Sequence, residues 1–301
     1  MTTMTVQSAH GADIEVVKNK TPFAWTQPIV YIVAIIAAGA AIIPVLFVVL
    51  GGFMRNPQLL TNPAGLPDPW VWMNYSRILW GNLAHRFWGQ VVTSTLVAVT
   101  TTALVVLLGV SIAYAIGRFK MKRSGALFAM FAAGLMFPAS MAILPTWIIL
   151  INLGLAGHWY GLVLPQVAFA MPTTVVILTP FIRAIPNEME EAAQLDGAGR
   201  TAFFFRILLP LARPGMITVG VLAFVASWNA YLLPLFVLGI SPTTGFFSET
   251  LPLGVQMFST QFSNDVTAQM AFTSLAIIPA LVFFLTMEKH IVNGLSGAVK
   301  G

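Results

Sequence analysis

The sequence predicts an all-α membrane protein with six transmembrane helices, and three observations support this fold class. First, 57% of the 301 residues are hydrophobic and only 8% are charged, whereas about a quarter of the residues in a soluble domain are charged. Second, long stretches contain no Asp, Glu, Lys or Arg, and about 20 apolar residues suffice to cross a bilayer. Third, the basic residues are concentrated in alternate loops, which is typical of a protein that crosses the membrane repeatedly.

Five stretches define the spans because they are free of charged residues: 21–54, 87–117, 124–182, 214–248 and 266–287. The third stretch, with 59 residues, is long enough for two helices, and its glycine-rich segment 152–158 supplies the turn between them. A six-span domain over 28–292 therefore follows an N-terminal tail over 1–27 and precedes a C-terminal tail over 293–301. The predicted spans are about 28–54, 90–117, 124–151, 160–182, 214–240 and 267–287.

The net charge of +5 is interpreted as a topology signal, and no nucleic-acid partner is expected. With the N-terminus in the cytoplasm, the cytoplasmic segments hold twelve of the fifteen basic residues, namely Lys18, Lys20, Arg118, Lys120, Lys122, Arg123, Arg183, Arg200, Arg206, Arg213, Lys289 and Lys300. Arg55, Arg77 and Arg86 remain on the outer side. This asymmetry satisfies the positive-inside rule and places both termini and the loop 183–213 in the cytoplasm.

Several chemical functions have no sequence signature here. The chain has no cysteine, which removes disulfides and thiolate ligands, and it has no G-x-x-x-x-G-K-[ST] loop to bind nucleotide phosphates. It also has no H-E-x-x-H motif, and the isolated His158 is more typical of a structural residue than of a catalytic one. We therefore expect a chain that is not itself an enzyme, with no catalytic residue, metal ligand or cofactor of its own.

The loop segment from Pro186 to Pro210 is the most charged part of the chain. Asn187 is predicted to cap a short helix, with Glu190 completing a capping box, and Asp196-Gly197 to end it. Met189, Ala192 and Ala193 are predicted to share one helical face whose small side chains permit close approach of another surface. An apolar piece from about Thr201 would then lie at the membrane boundary.

Seven positions in this loop match a known signature at every spacing. The signature reads E-A-A, three residues, G, nine residues, and then I-x-L-P. Its positions in this chain are Glu191, Ala192, Ala193, Gly197, Ile207, Leu209 and Pro210. In this the chain resembles the membrane subunits of binding-protein-dependent ABC importers, which have the type I ABC importer permease fold. The resemblance implies a cytoplasmic coupling helix that docks on an ATPase through Glu190, Glu191, Ala192, Ala193, Asp196 and Gly197. Ile207, Leu209 and Pro210 would form a hinge after it. The alternative interpretation is a capped acidic helix on the protein surface.

Two further segments resemble the MalG-type carbohydrate permeases: Ser227-Trp228-Asn229-Ala230 and the C-terminal run 293–301. The resemblance implies a subunit of an ATP-driven sugar importer in the bacterial inner membrane. It implies as partners a second homologous permease, two copies of a cytoplasmic ATPase that bind ATP and Mg, and an extracytoplasmic sugar-binding protein. In such relatives the tail, here with Gly294 and Lys300, reaches the ATPase. Leu295-Ser296 stands where relatives often have Leu-Thr.

Neutral polar residues within the spans favour a pathway for an uncharged polyhydroxyl solute, with Trp228, Asn229 and Tyr231 as candidate lining. In the second outer loop, Thr250, Leu251 and Pro252 are candidate contacts for the binding protein. A stand-alone secondary transporter or channel for a neutral solute is the alternative function. Ion-coupled carriers usually place an acidic residue or a histidine inside the membrane, and the predicted span centres contain none.

Overall fold

The computed structural model of the chain describes residues 5–7, 13–15, 26–119, 121–239, 247–259 and 264–299, with side chains over 28–119, 121–239, 247–259 and 264–286. Lys300, predicted to contact the ATPase, lies outside the described residues. The chain divides into two compact units, Met1–Phe47 and Val48–Gly301. In the first, strands β1 (Thr5–Gln7) and β2 (Asp13–Glu15) pair antiparallel with Thr5 opposite Glu15.

Helices make up almost all of the rest of the described chain. The α-helices are α1 (Thr26–Gly51), α2 (Asn56–Thr61), α3 (Met73–Leu79), α4 (Ala84–Arg118), α5 (Ser124–Gly134), α6 (Ile143–Asn152), α7 (Val163–Arg183), α8 (Asn187–Leu195), α9 (Arg200–Phe203), α10 (Leu209–Trp228), α11 (Leu232–Leu238) and α12 (Val266–Val299). Short 3₁₀ helices cover Ala139–Ala142, Trp159–Leu162 and Leu251–Phe258, and one π-helical turn covers Phe204–Leu208.

The larger unit is built around α4, α7 and α10, which pack against one another, while α12 packs on α10 and α5 packs on α7. Small residues bring these helices close together. A methyl group on Gly109 of α4 would lie 2.2 Å from Cγ2 of Thr174 on α7, so only glycine permits this approach. Without a hydrophobic driving force between helices in lipid, such close van der Waals packing is a main source of their association.

The all-α membrane fold class is confirmed, although one span is not a single straight helix. Within the described ranges five helices are long and apolar enough to cross a bilayer, and a sixth crossing requires the pair α5 and α6. These two helices meet at an angle of 88°, and the break between them ends at Pro138, which cannot donate a backbone hydrogen bond. The predicted span 124–151 is therefore broken rather than merely kinked.

Two other spans have different bounds from those predicted. The fifth span lies in a helix that runs from Arg200 to Trp228, so this helix ends before residue 240, and α11 follows it as a separate short helix. The sixth helix continues to Val299, so Gly294 lies within α12 instead of in a separate tail. Charged residues such as Glu288 mark where a chain leaves the hydrocarbon, but helical backbone hydrogen bonds can continue beyond that point.

Candidate functional site

The charged loop forms α8, which begins directly after Pro186 with Glu188 and Glu190 in its first turn. Negative side chains are favourable there because the N-terminus of a helix carries a partial positive charge. The predicted capping box is wrong, since the residue at the N-cap is Pro186 and no side chain caps the helix. Asn187 is instead the first helical residue, and its Oδ1 accepts a hydrogen bond from Arg118.

One side of α8 is anchored and the other is open. Ala193 is buried in a cluster with Tyr114, Phe203 and Leu208. Ala192 and Glu191 are exposed, and Leu195 is 90% exposed. Met189, Ala192 and Ala193 were predicted to share one helical face. This prediction is wrong for Ala193, which is buried while the other two are exposed. We define the α8 face as the exposed residues of this helix and the turn that follows it: Asn187, Glu188, Met189, Glu191, Ala192, Gln194, Leu195, Asp196 and Gly197.

The turn after α8 depends on glycine. Gly197 has a φ of 77°, in the left-handed region that side chains disfavour. Its N–H donates to the carbonyl oxygen of Gln194 at 3.0 Å, and the N–H of Ala198 donates to that of Ala193 at 2.8 Å. These bonds satisfy carbonyl groups that the end of a helix leaves without partners. Gly197 therefore sets the direction in which the chain leaves α8.

Arg118, the last residue of α4, ties this long helix to the start of α8. Its guanidinium group donates to the carbonyl oxygen of Ile185 as well as to Asn187. Nearby, the Arg200 guanidinium lies 5.2 Å from the centre of the Phe119 ring, a cation–π contact that adds α9 to the same junction. A movement of α8 would therefore be transmitted to the ends of both α4 and the fifth span.

We predict that Arg118→Gln loosens the start of α8. Loss of about 1.5 kcal/mol, the lower end of the range for hydrogen bonds to charged groups, would raise local opening roughly tenfold. Hydrogen–deuterium exchange of the purified protein measures this directly as faster amide exchange over 187–195. Arg123→Gln, which changes an exposed arginine at the N-cap of α5, is the control and should leave exchange over α8 unchanged. Equal exchange rates in the two variants would contradict the role of Arg118.

The predicted hinge residues lie in a continuous helical run rather than at a break. α9, the π-helical turn and α10 follow one another without interruption from Arg200 to Trp228. Ile207 lies in the π turn, Leu209 begins α10, and Pro210 lies within the first two positions of α10. A π turn is a common irregularity at functional sites and a recognised cause of helix bending. Thr201 to Pro210 is thus continuous in helix with the fifth span, and its position at the membrane boundary stays a prediction.

A cavity of about 420 Å³ lies among α4, α7, α10 and α11, in the larger unit. Its polar lining is uncharged: Thr101, Gln166, Thr173, Thr174 and Ser227. Apolar residues complete it, among them Phe169, Leu222 and Leu233. A neutral lining of this kind exchanges hydrogen bonds with an uncharged solute without the cost of burying a charge.

Comparison with known proteins decides the family. Residues 105–295 match the family described as binding-protein-dependent transport system inner membrane component. This chain belongs to that family. The chain is 32% identical over 257 residues to the diacetylchitobiose uptake system permease protein NgcG of Streptomyces coelicolor, and the match covers 85% of this chain and 82% of the relative. It is 36% identical over 199 residues to the trehalose transport system permease protein SugB of Mycobacterium tuberculosis, covering 65% and 71%.

A solved structure supports the fold independently. The protein resembles a chain of a bacterial ABC transporter involved in the import of the acidic polysaccharide alginate, with a TM-score of 0.70. The match covers 87% of this chain and 95% of the other at 19% sequence identity. At this identity the likeness shows the shared fold, and members of this family are permease subunits that carry no catalytic site.

The three residues predicted to line the solute pathway do not line the cavity. Trp228 is buried and stacks on Phe224 with ring centroids 5.8 Å apart. Asn229 is exposed at the end of α10, and Tyr231 is exposed and accepts a hydrogen bond from Gln256. Their assignment to the pathway therefore stays a prediction.

The candidate contacts for a binding protein are largely buried. Thr250 and Leu251 are inside the protein, and the Leu251 N–H donates to Oγ of Ser94 at 2.7 Å. Neither side chain is available for contact with a soluble partner in this structure, because the first turn of the 3₁₀ helix Leu251–Phe258 is anchored to α4. The prediction remains open for Pro252, which is only half-buried.

An ion pair missed by sequence reasoning holds this segment in place. Glu249 is 3% exposed and accepts hydrogen bonds from the Arg86 guanidinium, including one from Nε at 3.0 Å. Gln90 Nε2 also donates to Glu249 Oε2, at 2.7 Å. The two charges are 163 residues apart in sequence, so no local pattern could have paired them. Their opposite charges and their shared position outside the predicted spans were the only available signal.

Asp265 anchors the start of α12 at the same end of the unit. Its Oδ1 accepts hydrogen bonds from Asn56 Nδ2 at 3.0 Å, from Thr267 Oγ1 at 3.1 Å and from the Ala268 N–H at 3.1 Å. The Arg77 guanidinium lies 3.5 Å from Oδ2. Partial burial would raise the pKa of Asp265, but the three hydrogen bonds and the arginine outweigh it, so its pKa is lowered from the ordinary value.

We predict a pH-dependent contribution to stability from Asp265. Because its folded-state pKa is lowered, this contribution is present above the unfolded-state pKa of about 4 and is lost as pH falls through the lower folded value. Melting temperatures of the purified protein, measured from neutral to acidic pH, should show this loss. Asp265→Asn retains a good helix cap but cannot titrate, so its acid-side slope should be shallower. Identical pH profiles would contradict the assignment.

Proposed function

We propose that this chain is the transmembrane permease subunit of an ATP-driven, binding-protein-dependent carbohydrate importer, forming half of the translocation pathway. The observation that carries the proposal is the match to permeases named for the uptake of diacetylchitobiose and trehalose, the first covering 85% of this chain. The uncharged lining of the cavity agrees with such cargo. A secondary carrier would more often contain a titratable residue within its spans.

In this proposal α8 couples the permease to a separate ATPase that binds ATP and Mg. The α8 face offers acidic side chains and the exposed apolar Leu195, while Ala193 anchors the opposite side. Exposed apolar residues on an otherwise polar helix are typical of a contact with a protein partner. The predicted contacts Glu190 and Ala193 differ from the others, because Glu190 is half-buried and Ala193 is buried. They would act by holding α8 in position rather than by touching the ATPase.

The two ends of the larger unit support a cytoplasmic α8. The segments around α8 carry seven described basic residues, namely Arg118, Lys122, Arg123, Arg183, Arg200, Arg206 and Arg213. The opposite end, at and before the N-terminus of the 35-residue α4, has Arg55, Arg77 and Arg86. Excess Lys and Arg mark the cytoplasmic side. In this proposal both termini are cytoplasmic and the segment from Glu249 to Phe258 is outside, on the side where a sugar-binding protein would dock.

Movement would pass from α8 through two connections. Arg118 links α8 to α4, and the helical run beginning at Arg200 continues through the π turn into the fifth span. Closure of two ATPase subunits would tilt these helices as rigid bodies against a second, homologous permease and so open the pathway alternately to each side. Gly294, in the last part of α12, would approach the ATPase as well.

Purification of the native complex in mild detergent tests this function. We expect the chain to co-purify with a cytoplasmic ATPase, a second permease and a sugar-binding protein. After reconstitution, proteoliposomes should take up labelled neutral sugars, with trehalose, maltose and diacetylchitobiose as the first panel, only when ATP is supplied. Uptake by the chain alone without ATP would overturn the proposal in favour of a stand-alone transporter or channel.

A further inference from the structure

The cavity among α4, α7, α10 and α11 contains an unusual buried amide. Gln166 is 9% exposed, and its Oε1 accepts hydrogen bonds from Ser227 Oγ at 2.5 Å and from Thr101 Oγ1 at 3.3 Å. Its Nε2, also buried, has no hydrogen-bond partner among the described residues. If the amide were rotated by 180°, the two hydroxyl groups would accept from Nε2 and leave Oε1 unpaired instead. In either orientation one polar atom of Gln166 lacks a partner.

An unpaired buried amide atom is costly, and the residue that carries this one lines a space that can hold a ligand. Leaving such a group unsatisfied costs about 1–3 kcal/mol. The cavity of about 420 Å³ that it lines lies within the range of roughly 300–1,000 Å³ for small-molecule sites. A ligand with hydroxyl groups would satisfy the amide in either orientation, because a hydroxyl group both donates and accepts.

The rest of the lining restricts the chemistry of the ligand. Thr173 is exposed to the cavity and adds a hydroxyl group, while Phe169 and Leu233 supply apolar surface. A sugar ring has this combination of hydroxyl groups at its edge and apolar C–H groups on its faces. A charged solute would lose its hydration without gaining a counter-charge, since none of the described residues that line the cavity is charged.

We infer that this cavity, centred on Gln166, is a binding site for a neutral sugar unit within this subunit. The inference rests on the proposed function for the identity of the cargo, but it goes further, because a subunit can form half of a pathway without holding the cargo itself. Gln166 recognises a hydroxyl group, Thr101 and Ser227 fix the amide, and Phe169 supports the apolar face of the ring.

The absence of cysteine from this chain makes a protection experiment possible. In the reconstituted complex, Thr173→Cys places the chain's single thiol in the cavity, and its reaction rate with a small maleimide is measured with and without sugar. The probe is whichever sugar of the panel above the wild-type complex takes up. We expect this sugar to slow labelling at least about threefold, and the anionic gluconate to have no effect. Thr95→Cys, at an exposed position of α4 outside the cavity, should react equally fast in both conditions.

A second variant distinguishes binding from packing. Gln166→Leu removes the amide, and loss of one hydrogen bond should raise the KM for uptake about threefold to tenfold while kcat changes little. In the double variant it should also shift protection of the cysteine to sugar concentrations higher by the same factor. Thr95→Val should leave KM unchanged. If the wild type takes up sugar but Thr173→Cys is not protected and Gln166→Leu has a normal KM, the site is wrong and the proposed function stands. If the wild type takes up no neutral sugar, both are wrong.

Discussion

Replacing Gly197 with serine is expected to uncouple transport in the assembled complex, lowering ATP-driven uptake about tenfold. The reason is conformational, because Gly197 has a φ of 77° and the space beside it is open. A residue with a side chain pays about 1–2 kcal/mol in this conformation, which corresponds to a roughly fivefold to thirtyfold loss of the correct turn. Since the turn fixes how α8 presents Asp196 and Leu195, the ATPase would contact a misdirected helix.

Gly199→Ser is the matched control for this experiment. Gly199 is also in open space, but its φ of −69° suits any residue, and it occupies the N-cap of α9. Serine is among the preferred residues at such a position, so this variant should transport normally. Uptake and sugar-stimulated ATP hydrolysis are measured together for both variants. Normal coupling in Gly197→Ser would show that the turn does not set the position of α8.

Replacing Arg86 with leucine is expected to cause the largest loss of stability. Glu249, 3% exposed, would lose its guanidinium partner and, among the described residues, retain the hydrogen bond from Gln90. Breaking a buried pair by removing one partner typically costs about 3–5 kcal/mol because a charge is left uncompensated. The apparent melting temperature of the protein in detergent should fall by several degrees or more, and the segment from Glu249 to Leu251 should become accessible to proteases.

The second ion pair at this end provides the comparison. Arg77 and Asp265 are 3.5 Å apart, but their side chains are 40% and 38% exposed, and exposed pairs contribute about 0–1 kcal/mol. Arg77→Leu should therefore have a much smaller effect on melting. The double variant Arg86→Leu with Glu249→Leu removes both charges and should recover much of the lost stability. Equal losses in Arg86→Leu and Arg77→Leu would contradict the importance of burial.

Features that depend on composition and local chemistry could be predicted from the sequence. Long uncharged stretches locate α4, α7 and α12, because the bilayer requires a minimum apolar length. The turn at Gly197 follows from the Asp-Gly pair that ends a short acidic helix. Gln166 and Ser227 were also recognisable as neutral polar residues within apolar spans, although their spacing did not indicate that they meet.

Features that depend on tertiary contacts could not be predicted. Pro138 and Pro172 are similar in sequence context, yet only the first accompanies a break between helices, while α7 continues through the second. Local patterns do not reveal which proline a helix tolerates, because neighbouring helices decide whether the freed carbonyl groups find partners. Arg118 likewise contacts Asn187 across 69 residues. Its role at the junction follows from how the ends of α4 and α8 come together.

The central claim is that α8 is the surface through which this subunit meets its ATPase. Leu195→Cys, at the most exposed apolar position of α8, carries the chain's single thiol and can be coupled to a benzophenone maleimide. Trp80→Cys, 77% exposed beyond the other end of α4, is the control. In the assembled complex we expect light-induced cross-linking to the ATPase from position 195 and none from position 80. Cross-linking from position 80 alone, or none from position 195 in an intact complex, would contradict the account.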